Sequence, residues 1–195
     1  MILFPTAYSQ ETIERRFENL ESLQIQDIHA ALFWDSEGLV ACIIKTEANS
    51  NGRYDVIASL DLEATQWDGE PALAVEKYWQ KDNLSQVQGV VVDPKLRDFG
   101  LATYIYTSLI VKKGLILVSD NEQYIGGKAL WKHIARTSKE LVVYVFDSEN
   151  GLFYPFDADE RIAYDGKNID DYIIWSDSPS REKYDIVMIA EQNLK

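Results

Sequence analysis

Residues Val90 to Ala102 read Val-Val-Val-Asp-Pro-Lys-Leu-Arg-Asp-Phe-Gly-Leu-Ala, and this stretch decides the fold. An apolar run stops at Pro94. Arg97, Gly100 and Ala102 then follow at the spacing Arg-x-x-Gly-x-Ala. A helical pattern starts at once with Leu101, Tyr104, Ile105, Ser108 and Leu109. The reading is buried strand, short loop, helix N-terminus. A loop entering a helix offers unpaired main-chain N–H groups and the positive end of the helix dipole, and together these hold phosphate. Small residues let the backbone approach such a ligand closely.

Working outward, the strand before the loop spans Gln86–Val92. The helix after it ends at Lys112-Lys113-Gly114, with cations in the last turn and then glycine. Leu115–Val118 is all apolar and reads as a buried strand parallel to its predecessor. Gly126-Gly127 open a second helix, whose inner face is assigned to Ala129, Leu130, Ile134 and Ala135, with Trp131 a core aromatic. Leu141–Phe146 is a further apolar strand. On the N-terminal side, Ser9 caps a helix expected to run to Ser22, with Ile13, Phe17 and Leu20 on one face. Strands are expected at Ile28–Trp34, Leu39–Lys45 and Tyr54–Leu62, separated by turn signals at Asp35–Gly38 and Glu47–Gly52. In Tyr54–Leu62, Val56, Ala58, Leu60 and Leu62 alternate with Asp55, Ser59 and Asp61, so one face is expected to be wet. Pro71 starts a short helix to about Gln80. Asn150–Asn168 reads as a long loop, and Tyr172–Trp175 and Tyr184–Ala190 as final strands. The class is α/β: an antiparallel N-terminal meander, then β-α-β-α-β with parallel crossovers. No linker or repeat interrupts the chain, so residues 1–195 are expected to form a single domain.

The chain has 195 residues, 46% of them apolar and 26% charged, which suits one soluble domain with a sizeable core. No apolar run reaches the ~18 residues of a membrane span, and the start lacks the pattern of a signal peptide. Cys42 is the only cysteine, so no internal disulfide is possible and a reducing cytoplasm is expected. One Cys and two His make no structural zinc site. The formal charge of −13 argues against general nucleic-acid binding. It suits a cationic amine acceptor, a basic protein partner or simple solubility. An acidic decoy for a nucleic-acid-binding protein is a further reading, though the carboxylates are spread along the chain.

Val92, Pro94, Arg97, Gly100 and Ala102 resemble motif A of the GCN5-related N-acetyltransferases, Val-x-Pro-x-x-Arg-x-x-Gly-x-Gly/Ala before a helix. The resemblance covers Gln86–Phe146 best and follows the family only loosely before that. The run Tyr-x-Gly-Gly-Lys-Ala-Leu-Trp from Tyr124 is also similar to phage-encoded members of the superfamily, which would place the protein in a host cytoplasm. The resemblance implies a central strand pair that splays apart, and acetyl-CoA as co-substrate. It implies that the pyrophosphate lies on the amides of Arg97, Asp98, Phe99, Gly100, Leu101 and Ala102, aided by Arg97 itself. It also implies that the main chain of Val90, Val91 and Val92 polarises the acyl carbonyl, their side chains being core. Lys95 and Lys132 are further candidates for the adenosine phosphates.

Acyl transfer to an amine also needs a base for the ammonium proton and benefits from an acid for the thiolate. Here the sequence departs from the family. Aligning the family's Leu-Tyr with Leu130-Trp131 puts Trp131 where the acidic Tyr stands, and an indole N–H does not ionise near neutrality. Tyr124, Ser119 and Asp120 are the nearby candidates for that role. For the base, the family's Glu is replaced by Gln86 and Gln88, which leaves Asp61, Glu63 or Asp120. The expected activity is an N-acetyltransferase acting on an amine of a small molecule or protein. The rival is a protein of the same fold that works by binding a partner. The oligomeric state is not legible.

Overall fold

The computed structural model describes residues 6–64, 75–77, 79, 83–120, 125–154, 161–175 and 185–194. These form a mixed α/β structure with a ten-stranded, mostly antiparallel sheet and several helices. By its internal packing the chain divides into two compact units, Met1–Leu62 with Gly89–Ile105 and Glu63–Gln88 with Tyr106–Lys195. Among the described residues, no helix is long and apolar enough to cross a membrane.

In the first unit, β1 (Ala7–Tyr8) pairs antiparallel with β5 (Tyr54–Ala64). Ser9 caps α1 (Gln10–Arg16), its hydroxyl accepting from Thr12 N–H at 3.2 Å. The helix stops well before the expected Ser22. Phe17 is extended and buried, and packs on Tyr8 and Phe33 at ring distances of 5.1 and 6.5 Å. Residues Glu18–Ile25 then form β2, paired antiparallel with β3 (Ile28–Asp35). The β2–β3 turn is only Gln26-Asp27, with Gln26 at φ 54°. Two-residue hairpins usually announce themselves by Asn-Gly or Asp-Gly, and this one does not. β4 (Val40–Ala48) pairs antiparallel with β3 and β5. The centre of β5 is buried on both faces, Ser59 on one as much as Ala58 and Leu60 on the other, which corrects the expected wet face.

In the second unit, β6 (Leu84–Val92) begins beside β7 (Ile116–Val118), and the two are parallel as expected. β10 (Ile186–Gln192) lies between β7 and β8 (Leu141–Asp147), antiparallel to both, and β9 (Leu152–Tyr154) pairs with β8. Val75, Glu76, Lys77 and Trp79 are helical, within the helix expected at 71–80. Val75, Trp79, Leu84, Ile116, Val118, Phe146, Val187 and Ile189 make a buried cluster. α2 (Leu101–Lys113) precedes β7, and α3 (Ile125–Thr137) precedes β8. The buried residues of α3 are Trp131 and Ile134, whereas Ala129 is exposed and Leu130 and Ala135 half-buried, so the inner stripe differs from the expected one. Tyr172–Trp175 is not a strand. Asp171–Ile174 is a single helical turn, α4, which buries Ile174 and gives the Asp171 carboxylate to Lys132 at 2.7 Å.

The β3–β4 turn carries the best-satisfied ion pair of the first unit. The Asp35 side chain is buried. Its Oδ2 accepts from Arg16 Nη2 at 2.6 Å and Nε at 3.0 Å, and its Oδ1 accepts from the N–H groups of Glu37 and Gly38. Burial works to raise the Asp35 pKa, but the Gly38 N–H, the Arg16 guanidinium and the Glu37 N–H outweigh it and hold the carboxyl below its usual range. A carboxyl held low stabilises the fold above its unfolded pKa, and that contribution fades as pH falls through the folded value. Asp35→Asn is expected to cost about 2 kcal/mol in urea unfolding near neutral pH. The gap to wild type is expected to close below about pH 4; a gap independent of pH would refute the assignment.

Cys42 sits in the same unit's core with Tyr8, Phe17 and Ile44. Burial pushes its thiol up to about 12, against a smaller opposing effect of its hydrogen bond with Tyr8. The thiolate is the reactive form. Native protein is therefore expected not to react with a thiol reagent at neutral pH, and to release one equivalent once denatured.

Candidate functional site

The cofactor candidates Val90 to Ala102 all lie in the first unit. β6 delivers the chain to Asp93, whose N–H bonds Ile57 O at 2.9 Å and whose carboxylate accepts from Lys95 N–H at 2.9 Å. Pro94–Phe99 is a 3₁₀ turn rather than open loop. In such a turn the main-chain bonds run between residues three apart, as Leu96 N–H to Asp93 O does at 2.8 Å. The turn thus commits amides that the sequence had assigned to a phosphate. Leu96 is its buried anchor, while Arg97, Asp98 and Phe99 are exposed.

Gly100 follows at φ 68°, ψ 20°. This left-handed conformation costs any residue with a Cβ about 1–2 kcal/mol. Apart from its two chain neighbours, no atom of the described residues lies within 4 Å of where a Cβ would stand. The glycine is accordingly required by conformation alone, without a close neighbour in the protein. The first main-chain bond of α2 is Tyr104 N–H to Gly100 O at 2.9 Å. The amides of Leu101, Ala102 and Thr103 precede it, at the positive end of the helix. Tyr104 also gives its hydroxyl to Glu21 Oε2 at 2.5 Å, fastening the first turns of the helix to β2.

Val90 and Val92 are half-buried and Val91 is 46% exposed, so these side chains are not the core residues expected of them. The register of β6 with β7 covers Leu84, Ser85 and Gln86, and β6 itself continues to Val92. Asp61, also in this unit, faces Val40 across the β4–β5 pair, and burial raises its carboxyl pKa.

The second unit holds the remaining candidates. Glu63 Oε2 accepts from Gln88 Nε2 at 2.6 Å. Ser119 is fully buried. Its hydroxyl donates to Asp120 O at 3.0 Å and accepts from Met188 N–H at 3.0 Å. Both roles of that hydroxyl are spent inside the sheet. Asp120 is half-buried, and after burial itself its charge is what raises the Tyr106 pKa. Tyr106 stands edge-on to Trp131 at 5.5 Å, and Trp131 is 2% exposed. Lys132, paired with Asp171, is engaged in its own unit. Tyr124 lies outside the described residues. The sequence reading missed Gln86 as anything but a residue unable to take a proton, yet its carboxamide is buried and donates to Ser119 O at 3.2 Å.

Chemically, the first unit offers main-chain donors at a helix start and an exposed guanidinium. No family model, no curated protein and no solved structure matches this chain. Gly100→Ala is expected to lower stability by about 1 kcal/mol through backbone strain alone. The check is chemical unfolding of the variant, and a neutral result would contradict the left-handed geometry.

Proposed function

We propose that this chain is an acetyl-CoA-dependent N-acetyltransferase of the GCN5-related type, acting on a cationic amine of a small molecule or a protein. One observation carries the reading. The parallel register of β6 and β7 stops after three residue pairs. β6 runs on into a turn, a left-handed glycine and a helix start that bear Val-x-Pro-x-x-Arg-x-x-Gly-x-Ala.

In this reading the pyrophosphate rests on the amides at the start of α2, with Arg97 adding charge. The main chain of Val90–Val92 donates to the thioester carbonyl. The acceptor nitrogen attacks the carbonyl carbon, and the oxyanion that forms is held by those donors. Collapse breaks the C–S bond and expels CoA as thiolate. The proton lost by the amine passes to a carboxylate, for which Asp61 is the candidate in the same unit as the loop, directly or through water. Positioning supplies much of the rate. The charge of −13 favours a cationic acceptor.

A second reading is supported by Trp131. The residue standing at the family's acidic Tyr is a buried indole, which suits a protein that keeps the fold and binds a partner without turnover. Calorimetry with acetyl-CoA is the first test, and absence of binding at millimolar ligand would end both acetyl-CoA readings. Arg97→Glu is expected to weaken binding at least ~10-fold, about 1.4 kcal/mol; unchanged affinity would remove the loop assignment. Thiol release with polyamines, aminoglycosides and basic peptides as acceptors then separates enzyme from binder.

A further inference from the structure

α3 carries Lys128, Lys132 and Arg136 at four-residue spacing and no acidic residue, in a chain of net charge −13. Residues four apart share one helix face. All three cations meet the segment Tyr164–Trp175, which lies with them in the second unit. Lys132 Nζ donates to both Asp171 carboxylate oxygens at 2.7 Å, and Arg136 Nη2 donates to Gly166 O at 2.8 Å. Lys128 Nζ stands 5.8 Å from the centre of the Trp175 ring. The approach is close, since a Cβ on Gly166 would lie 2.7 Å from Arg136 Cγ. The segment otherwise bonds mostly to itself. Asp165 Oδ1 accepts from the N–H groups of Lys167 and Asn168, and Asn168 Oδ1 accepts from Asp165 N–H. In α4, Ile173 N–H bonds Asp170 O and Trp175 N–H bonds Asp171 O. Tyr164, Ile169, Ile174 and Trp175 are buried. The Tyr164 hydroxyl and the Trp175 indole N–H lie near one another, yet among the described residues neither has a well-aligned hydrogen-bond partner. The inward side is thus held by burial alone, and the polar ties come from α3 and from Tyr164 N–H to Val143 O at 2.8 Å.

We propose that Tyr164–Trp175 is a detachable strap that docks on α3 and leaves it as one unit, with Lys132–Asp171 and Arg136–Gly166 as its ties. A segment whose hydrogen bonds run mostly within itself gives up few of them when it lifts. Contiguous stretches of this kind open at a lower free energy than the whole fold. The strap carries Asp165, Asp170 and Asp171 against Lys167, so its charge is opposite to that of the helix face it covers. The Asp171 side chain is 62% exposed, which leaves the Lys132–Asp171 pair open to screening by salt. A single helical turn does not persist by itself in water. Undocking therefore opens the α4 amides to exchange and frees Lys132 and Arg136 together.

The test uses the full chain and amide hydrogen exchange, with β8 as the internal reference. In the wild type the Ile173 and Trp175 amides are expected to exchange faster than those of β8. Raising the salt to about 1 M is expected to speed them about 3-fold further. Asp171→Asn and Lys132→Met are each expected to speed them about 3-fold at low salt, and the double variant no more than the worse single one, because both remove one tie. Tyr164→Phe removes a hydroxyl without a partner and is expected not to speed them. Exchange of the strap at the rate of β8 would overturn the proposal, because the segment would then open only with the whole fold. Unchanged exchange in Asp171→Asn, additive effects in the double variant or faster exchange in Tyr164→Phe would overturn it as well. If Lys132→Met does not fold, the salt series and Asp171→Asn, at an exposed position, decide by the same readings.

Discussion

Two parallel strands cannot be joined by a hairpin, and β6 and β7 are parallel neighbours. The chain leaving β6 must travel back before β7 can start, and much else follows from that return. It needs a sharp change of direction, met by Asp93 capping a 3₁₀ turn and by Gly100 in the left-handed region. It needs a helix, α2, whose exit is again a left-handed glycine, Gly114 at φ 66°. The helix start created by that route is where the main-chain donors collect. The chemistry proposed for this chain is thus placed by a connection rule before any side chain is chosen for it.

The same rule explains what was legible. Val-Val-Val-Asp-Pro, the helical pattern after Gly100 and the apolar Ile-Leu-Val of β7 are local signals that agree with one another. β3, β4, β5, β8 and β10 were visible for the same reason, as apolar runs bounded by turn residues. Residues 18–22 read as helix because Leu20 continues the stripe of Ile13 and Phe17 as well as it fits a strand. What settles them is tertiary: Phe17 turning into the core and Gln26 accepting a left-handed turn without being glycine. Tyr172–Trp175 has the composition of a strand, yet burial of Ile174 and the hold of Lys132 on Asp171 favour a helical turn. The two-sided burial of β5 depends on what covers it, and period-two alternation does not report that.

Of the candidate site, only the loop's geometry was legible. Arg97, Gly100 and the start of α2 stand where their spacing put them. The exposure of Val91 was not legible, because a run of three valines does not report what covers each of its faces. Ser119 could be named only as a hydroxyl near the right strand. That its hydroxyl replaces a main-chain acceptor is a property of the β7–β10 register, and that register joins residues far apart in sequence.

β10 lies between β7 and β8, yet it is made after every other strand of the sheet. Until residues 186–192 emerge from the ribosome, β7 and β8 each present an open edge, and open edges recruit other chains. The long sequence separation between β7 and β10 also makes closing the gap slow relative to the hairpins β3–β4 and β8–β9. The growing chain therefore passes through an interval in which its local hairpins are complete while the centre of the second unit is a slot one strand wide. The longer that slot stays empty, the longer the edges of β7 and β8 are open to pairing with other chains.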